Sequence, residues 1–300
     1  MSLEFYVYLG AQSQFPAAFE RSCTELTGGF LDGCTVWFAQ RDKNEARKQY
    51  MNEAKRVTCA LPSDLKLDAW PPSLLQQDWL ALQVDFELLT PWYSKDDRVF
   101  HVLDNPVRKD RVFGVPFMSA ASWKGMLRWA CRMRAGLREH LEKGKRFEDW
   151  NDPPWILHLF GNEKGEERDF HQGALVFYPT WFDRIGFEVI NPHSRERRAG
   201  TQPIYYEVVP PGAHGTLCLL YAPWLGMRPS ADPKDFLPKL LEAIEMLLTA
   251  YGIPAERTVG WPTAEIQKWW AFRKGQEPVS SNSKDDLWTK IKDWFQGEAP

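Results

Sequence analysis

The strongest constraint on the fold is the alternation of apolar and polar side chains in residues 79–90, WLALQVDFELLT. Leucine, valine and phenylalanine stand at every second position from Leu80 to Leu88. Successive side chains of a strand point to opposite faces, so the pattern predicts a strand with one buried face. Such a face has to be covered by another layer of the fold.

Other segments of the chain indicate an α+β fold. Strands are expected at residues 4–10, 35–40, 173–178, 185–190, 204–209, 215–222 and 264–272, and helices at 44–57, 119–141 and 233–251. This order predicts an antiparallel sheet with helices on one face. A Pro- and Asp-rich stretch at 62–73 marks a boundary, which gives an N-terminal elaboration or small subdomain (1–75), a core domain (76–273) and a polar extension (274–300).

Composition excludes several classes of protein. With 44% hydrophobic and 26% charged residues the chain is an ordinary globular protein. No apolar stretch approaches the ~18 residues of a membrane span, so no membrane partner is expected. The five cysteines form no C-x-x-C pair, which predicts reduced thiols and a cytoplasmic location. The net charge is −3, so any nucleic-acid site must come from a local basic cluster.

A candidate anion site lies at the start of the predicted core helix. Residues 91–118 form a long polar loop, and loops of this length are usually functional. The block that follows places Ser122 and Gly125 in the first turns of the helix, where exposed N–H groups favour a phosphate. Lys124, Arg128 and Arg132 recur every four residues and would extend the positive surface. A capped helix with a solvated charged face would contain the same residues.

The run 112–128, VFGVPFMSAASWKGMLR, resembles the signature of the CRISPR-associated RAMP superfamily, the RNA-binding subunits of type III (Csm/Cmr-like) effector complexes. Further ordered matches lie at residues 103–110 (LDNPVRKD), 159–161, 173–177, 191–212 and 251–261. The resemblance implies a ferredoxin-like or RRM-like sheet. It also implies that the partners are guide RNA, target RNA and other CRISPR-associated subunits of an antiviral complex.

The sequence departs from the family pattern at two places. Residues 119–121, SAA, stand where the family usually has Pro-Gly-Ser, and Pro254 and Pro262 replace two glycines of the C-terminal loop. Proline removes an N–H donor and fixes φ, so this loop is less suited to cradling a phosphate. A structural role of the loop in the turn is therefore favoured over RNA contact.

The resemblance also implies roles for single residues. Asp104 matches the aspartate that cleaving subunits need for metal-dependent cutting of target RNA, which would make Asp104 catalytic and Mg²⁺ a cofactor. The structural alternative is an Asp-Asn-Pro turn in which the side chain caps its own backbone. RNA contacts are implied for a further group in the family's arginine-containing loop, namely His193, Arg195, Arg197 and Arg198.

Two other functions stay open from the sequence. A stand-alone, metal-independent endoribonuclease that processes CRISPR repeat RNA would use His193 and His214 as general acid and base. A protein-interaction scaffold without RNA function would need neither histidine. The sequence contains no G-x-S-x-G, Walker A or G-x-G-x-x-G motif in a strand-to-helix context, so no motif supports a hydrolase, kinase or dehydrogenase function.

Overall fold

The computed structural model describes residues 42–61, 71, 76–96, 101–110, 113–162, 171–190, 193–194, 199–200, 203–224, 226–227, 230–253 and 263–295. Its helices are α1 (Lys43–Ala54), α2 (Ala120–Arg132), α3 (Arg138–Glu142), α4 (Pro154–Phe160), α5 (Pro233–Met246) and α6 (Lys284–Ile291). Its strands are β1 (Leu80–Leu88), β2 (Phe117–Met118), β3 (Leu175–Phe177), β4 (Thr180–Trp181), β5 (Gly186–Ile190), β6 (His193–Ser194), β7 (Ala199–Gly200), β8 (Ile204–Val208), β9 (His214–Tyr221), β10 (Ala264–Arg273) and β11 (Val279–Ser281). The strands expected at 4–10 and 35–40 lie outside the described residues.

The alternating segment forms β1, the central strand of a five-stranded antiparallel sheet. The strand order is β11-β10-β1-β9-β3. The apolar residues of β1 are buried, whereas Gln83, Asp85 and Glu87 on the other face are partly exposed. Asp85 accepts hydrogen bonds there from Thr216 and Trp270. The predicted strand with one buried face is therefore confirmed.

Helices cover the buried face of the sheet and form the main core with it. The side chains that reach this core come from α2, α4, α5 and α6, and they include Trp123, Leu127, Ile156, Phe160, Leu240, Ile244, Leu287 and Ile291. Leu287 and Ile291 belong to the C-terminal extension, so this segment packs on the core. None of the helices in the described part of the chain is long and apolar enough to cross a membrane.

The helix predicted over 119–141 is interrupted. α2 ends at Arg132 and a π-helical turn, Met133–Leu137, connects it to α3. Gly136 in this turn has φ of +104°, a left-handed conformation that glycine adopts without steric cost. The residues of α3 after this kink are not buried in the core, and Leu141 is 42% exposed.

A second, smaller core joins α1 to the long loop. Ala46 and Tyr50 of α1 pack with Val102, Leu103 and Ile185. Cys59 also belongs to this cluster, and it is disulfide-bonded. This corrects the expectation that all thiols are reduced. Cys131 and Cys218 are free thiols.

A long hairpin lies outside the five-stranded sheet. β5 pairs with β8 from Gly186↔Val208 to Ile190↔Ile204, and β6 continues the hairpin by pairing with β7 at His193↔Gly200. The residues between β6 and β7 include Arg195, Arg197 and Arg198, and they lie outside the described residues.

The hydroxyl of Thr180 satisfies the buried indole of Trp123. Trp123 Nε1 donates to Thr180 Oγ1 at 2.8 Å, and this hydroxyl donates to the Thr216 carbonyl at 2.6 Å. Thr180→Val leaves the indole N–H buried and unpaired, so we expect the free energy of unfolding in urea to fall by about 2 kcal/mol.

The matched control for this prediction is Thr289→Val on α6. Its exposed hydroxyl donates to the Asp285 carbonyl at 2.9 Å, and we expect a change below about 0.5 kcal/mol. Equal losses in the two variants would contradict the importance of the Trp123 hydrogen bond.

Candidate functional site

A groove of about 320 Å³ lies where the loop after β1 meets the first turns of α2. Its walls combine apolar side chains with hydroxyls and a guanidinium, contributed by Trp92, Ser94, Arg108, Phe117, Ser122 and Gly125 among others. Ser122 and Gly125 are site residues that the sequence predicted. The structure brings them together with residues of the long loop.

The serines at the start of α2 cap the helix. Ser119 is the N-cap residue, and its hydroxyl accepts a hydrogen bond from the Ser122 N–H at 3.2 Å and lies 2.9 Å from the Ser122 hydroxyl. A Cβ atom built on Gly125 would meet no atom within 4 Å. Packing within the protein therefore does not require glycine at this position, and the open backbone leaves room for a ligand to approach the helix.

Arg108 enters the groove from the loop. The backbone N–H of Arg108 donates to the Ser94 carbonyl at 2.6 Å, and its backbone carbonyl accepts from the Phe117 N–H at 3.3 Å. Arg108 was not among the predicted site residues, although it belongs to the segment 103–110 that resembles the family. Its neighbours Val107 and Lys109 are buried, and in an extended chain the residue between them faces the other way.

Lys124 is an exposed side chain that neighbours the groove residue Gly125 in sequence. Partial desolvation, and secondly the positive charge of Arg128, lower the pKa of its ammonium group. Both effects disfavour the charged form of Lys124 in the protein alone. A bound anion would act in the opposite direction and stabilise the charge.

Arg128 and Arg132 share a buried carboxylate. Arg128 donates to Asp152 Oδ2 at 3.0 and 2.6 Å, and Arg132 donates to Oδ1 at 2.6 Å and Oδ2 at 2.8 Å. The Asp152 side chain is 2% exposed. The arginines thus fix the segment before α4 onto α2, and their predicted contact with RNA stays a prediction.

Asp104 lies on the surface of the loop and is 66% exposed. Its Oδ2 accepts a hydrogen bond from Arg47 Nη2 of α1 at 2.7 Å. Its other oxygen, Oδ1, accepts no hydrogen bond from the described residues. The side chain therefore pairs with α1 instead of capping its own turn, and one oxygen is left to bind a ligand.

A buried ion pair fixes the loop behind Asp104. Lys109 Nζ lies 2.5 Å from Glu207 Oε2, and the two side chains are 1% and 0% exposed. Tyr50 donates to the other oxygen of Glu207, and Val107 N–H donates to Oε2 at 3.0 Å. Lys109 Nζ also donates to the Tyr50 hydroxyl at 3.0 Å. This network joins α1, the loop and β8.

The two histidines of the nuclease alternative lie on different elements. His193 belongs to β6, beyond the far end of the five-residue β5–β8 ladder, which spans about 16 Å. His214 begins β9, after the near end of the same hairpin. This separation along the hairpin gives no support to an acid–base pair of His193 and His214.

The described residues contain no cluster of three His, Cys, Asp or Glu side chains that could hold a metal ion by themselves. Mg²⁺ sites commonly use one or two carboxylates and complete their coordination with waters and substrate phosphates. A single carboxylate with one open oxygen, as at Asp104, fits such a shared site and does not fit a site made by the protein alone.

The RAMP superfamily matches residues 85–261 of this sequence. The match covers more than half of the chain, and the chain belongs to the RAMP superfamily. The groove, Asp104, Glu207 and the long hairpin fall inside the matched span. α1, with Arg47 and Tyr50, falls outside it.

Two solved structures contain similar chains. One is a cryo-EM structure of the Type III-B Cmr-beta bound to cognate target RNA, with 16% identity, a TM-score of 0.48, and coverage of 78% of this chain and 68% of that chain. The other is a crystal structure of the Csm3-Csm4 subcomplex in the type III-A CRISPR-Cas interference complex, with 17% identity, a TM-score of 0.43, and coverage of 73% and 98%. Among proteins of curated function, none matches this sequence.

Asp152 provides a test of the arginine cluster. Burial alone would raise the pKa of its carboxyl, but hydrogen bonds from Arg132, Arg128 and Trp150 lower it below the ordinary value of 3.8. Because the pKa is lower in the folded protein, the charged carboxylate stabilises the fold above that value, and this stabilisation is lost as the pH falls through the folded pKa.

We therefore expect Asp152→Asn to lower the free energy of unfolding by about 3 kcal/mol at pH 7, because two guanidiniums lose their counter-charge. In urea denaturation at a series of pH values, the difference in free energy of unfolding between Asp152→Asn and wild type should narrow below about pH 4. Asp149→Asn is the control, since this residue pairs with Arg146 on the surface, with 52% of its side chain exposed. A pH-independent loss in Asp152→Asn would contradict the electrostatic explanation.

Proposed function

We propose that this chain is an RNA-binding subunit of a type III CRISPR effector complex. In this role it holds guide RNA, contributes to the recognition of target RNA and contacts other CRISPR-associated subunits. The observation that carries the proposal is the groove, in which Arg108 and serine hydroxyls meet an open helix start inside the family match.

The chemistry of the groove suits a sugar–phosphate backbone. The dipole at the start of α2 favours an anion near the capped first turn. Arg108 adds a positively charged guanidinium to the lining, and Ser94 and Ser122 add hydroxyls. Trp92 and Phe117 supply apolar walls for a ribose or a base. This combination favours RNA over a small inorganic anion.

We also propose a ferredoxin-like, or RRM-like, arrangement of the core. In chain order, β1, α2, β3, β9, α5 and β10 follow the pattern β-α-β-β-α-β. The strands of this set stand in the sheet in the order β10-β1-β9-β3, all antiparallel. The pattern and the sheet order support this arrangement, and the helices on one face leave the other face to the polar residues of β1.

The long hairpin is a second proposed contact surface. Its stem exposes Val189 (48%), Ile204 (38%) and Tyr205 (40%), more apolar area than a solvated hairpin needs. Three arginines, Arg195, Arg197 and Arg198, follow His193 between the end strands. An apolar stem with basic residues supports contact with RNA or a neighbouring subunit.

Asp104 is the proposed residue for target cleavage. Its open Oδ1 and 66% exposure support a role as the single protein ligand of Mg²⁺, with phosphate oxygens of the target strand completing the site. When bound there, the ion would polarise the scissile phosphate. The protein's part is to hold the carboxylate in a fixed position while the groove retains the guide.

The groove predicts a salt-dependent change in RNA affinity. We expect Arg108→Ala and Lys124→Ala each to weaken guide RNA binding almost equally for all sequences, because phosphate contacts are independent of base identity. Each lost contact should reduce the slope of log affinity against log salt by about 0.7, measured by filter binding or anisotropy.

Lys145→Ala is the control for the groove variants, since this exposed lysine lies after α3, outside the groove. The guide RNA affinity and the salt slope of Lys145→Ala should match those of wild type. Wild-type slopes in both groove variants, with folding intact, would show that guide RNA binds elsewhere.

For Asp104→Ala we expect complete loss of the Mg²⁺-dependent cut opposite this subunit, with guide retention and assembly unchanged. The groove does not include Asp104, so binding and cleavage should separate. The measurement uses labelled target RNA and the assembled complex, with each cut position resolved on a gel. Asp104→Asn, which retains the shape and removes the charge, should lose the same cut. An unchanged pattern of cuts would contradict a catalytic Asp104.

A further inference from the structure

α1 lies outside the family match and contacts the segment that contains Asp104. Within α1, Arg47 contacts this segment through two hydrogen bonds. Its Nε donates to the Val102 carbonyl at 3.0 Å, and its Nη2 donates to Asp104 Oδ2 at 2.7 Å. One guanidinium thus binds the backbone and the carboxylate of the same short segment.

The burial of the two partners differs. The Arg47 side chain is 18% exposed, whereas that of Asp104 is 66% exposed. An exposed aspartate without a partner samples several rotamers, but a largely buried guanidinium with a second hydrogen bond holds its acceptor in one orientation. The contact therefore determines where Oδ1 of Asp104 lies.

The helix that supplies Arg47 is itself fixed. Tyr50, one turn further along α1, is 1% exposed and donates a hydrogen bond to Glu207. Its ring meets the ring of His101 edge to face, with 5.4 Å between the centroids. α1 therefore contacts the loop on both sides of Asp104, at His101 and, through Glu207, at Val107.

We propose that Arg47 is a positioning residue for Asp104, through which the N-terminal elaboration orients the carboxylate for cleavage of target RNA. The inference rests on the proposed cleavage function and assigns a role to α1, a helix outside the family match. Groups that orient a metal-binding carboxylate typically change activity by 10- to 100-fold when removed.

The test compares Arg47→Met, Arg47→Lys and Asp104→Ala in the assembled complex. We expect Arg47→Met to slow the single-turnover cut opposite this subunit by about tenfold or more. Arg47→Lys keeps the charge but lacks the planar fork that binds both the Val102 carbonyl and Asp104, so it should recover only part of the wild-type rate. Lys48→Met is the control, because Lys48 is the next residue of the same helix and is exposed. Guide retention should be the same in all variants.

A second readout does not depend on cleavage. Hydrogen exchange of a peptide covering residues 101–107 should be faster in Arg47→Met than in wild type or Lys48→Met, and Arg47→Lys should fall between the two. The exchange arm tests the orienting contact even in a complex that does not cut.

The outcomes separate the inference from the proposed function. If Asp104→Ala abolishes the cut and Arg47→Met cuts at the wild-type rate, the positioning role is wrong while the cleavage role stands. A faster cut in Arg47→Met would also overturn the positioning role, because the contact would then hold Asp104 away from the orientation that cleavage requires. If Asp104→Ala cuts normally, the cleavage role is wrong and the positioning of Asp104 for cleavage is wrong with it. Hydrogen exchange then shows whether Arg47 orders the segment for another purpose.

Discussion

The arrangement of the site depends on the buried ion pair of Lys109 and Glu207. Burying two charges costs several kcal/mol per ion unless hydrogen bonds satisfy both groups. Here Tyr50 and the Val107 N–H complete the carboxylate, and the Tyr50 hydroxyl accepts from Lys109. Removing Lys109 would leave the buried carboxylate of Glu207 without its counter-charge. The network therefore favours a single conformation of a loop that has little regular structure of its own.

Next to this ion pair, successive side chains of residues 107–109 point alternately into the core and toward the groove. Val107 and Lys109 are buried, so Arg108 between them faces the groove. Asp104, three residues before Val107, lies on the exposed surface against Arg47. The segment 104–108 thus places Arg108 in the groove and Asp104 on the exposed surface, and the Lys109–Glu207 ion pair fixes this segment.

Local patterns predicted what depends on local spacing. The alternation of residues 79–90 predicted β1, and the small residues before Lys124 predicted the start of α2. The pairing of Arg128 and Arg132 with Asp152 was not predictable, because the partner lies 20 or more residues away and no spacing rule connects them. The Lys109–Glu207 contact spans 98 residues and was hidden for the same reason. Gly136 was the missed local signal, since a glycine inside a helical pattern often marks a kink.

Arg108 and Asp104 of the long loop lie in two different places. A helix outside the family match can therefore contact one of them and leave the other unaffected. The groove is built from residues within the match, and its walls do not include α1. The carboxylate of Asp104, in contrast, is oriented by α1 alone among the described residues. Phosphate binding tolerates small displacements because charge acts over several ångströms, whereas metal-assisted chemistry requires a carboxylate oxygen at a fixed position. In the proposed function the Asp104 carboxylate therefore has the stricter geometric demand, and it is the residue that α1 contacts.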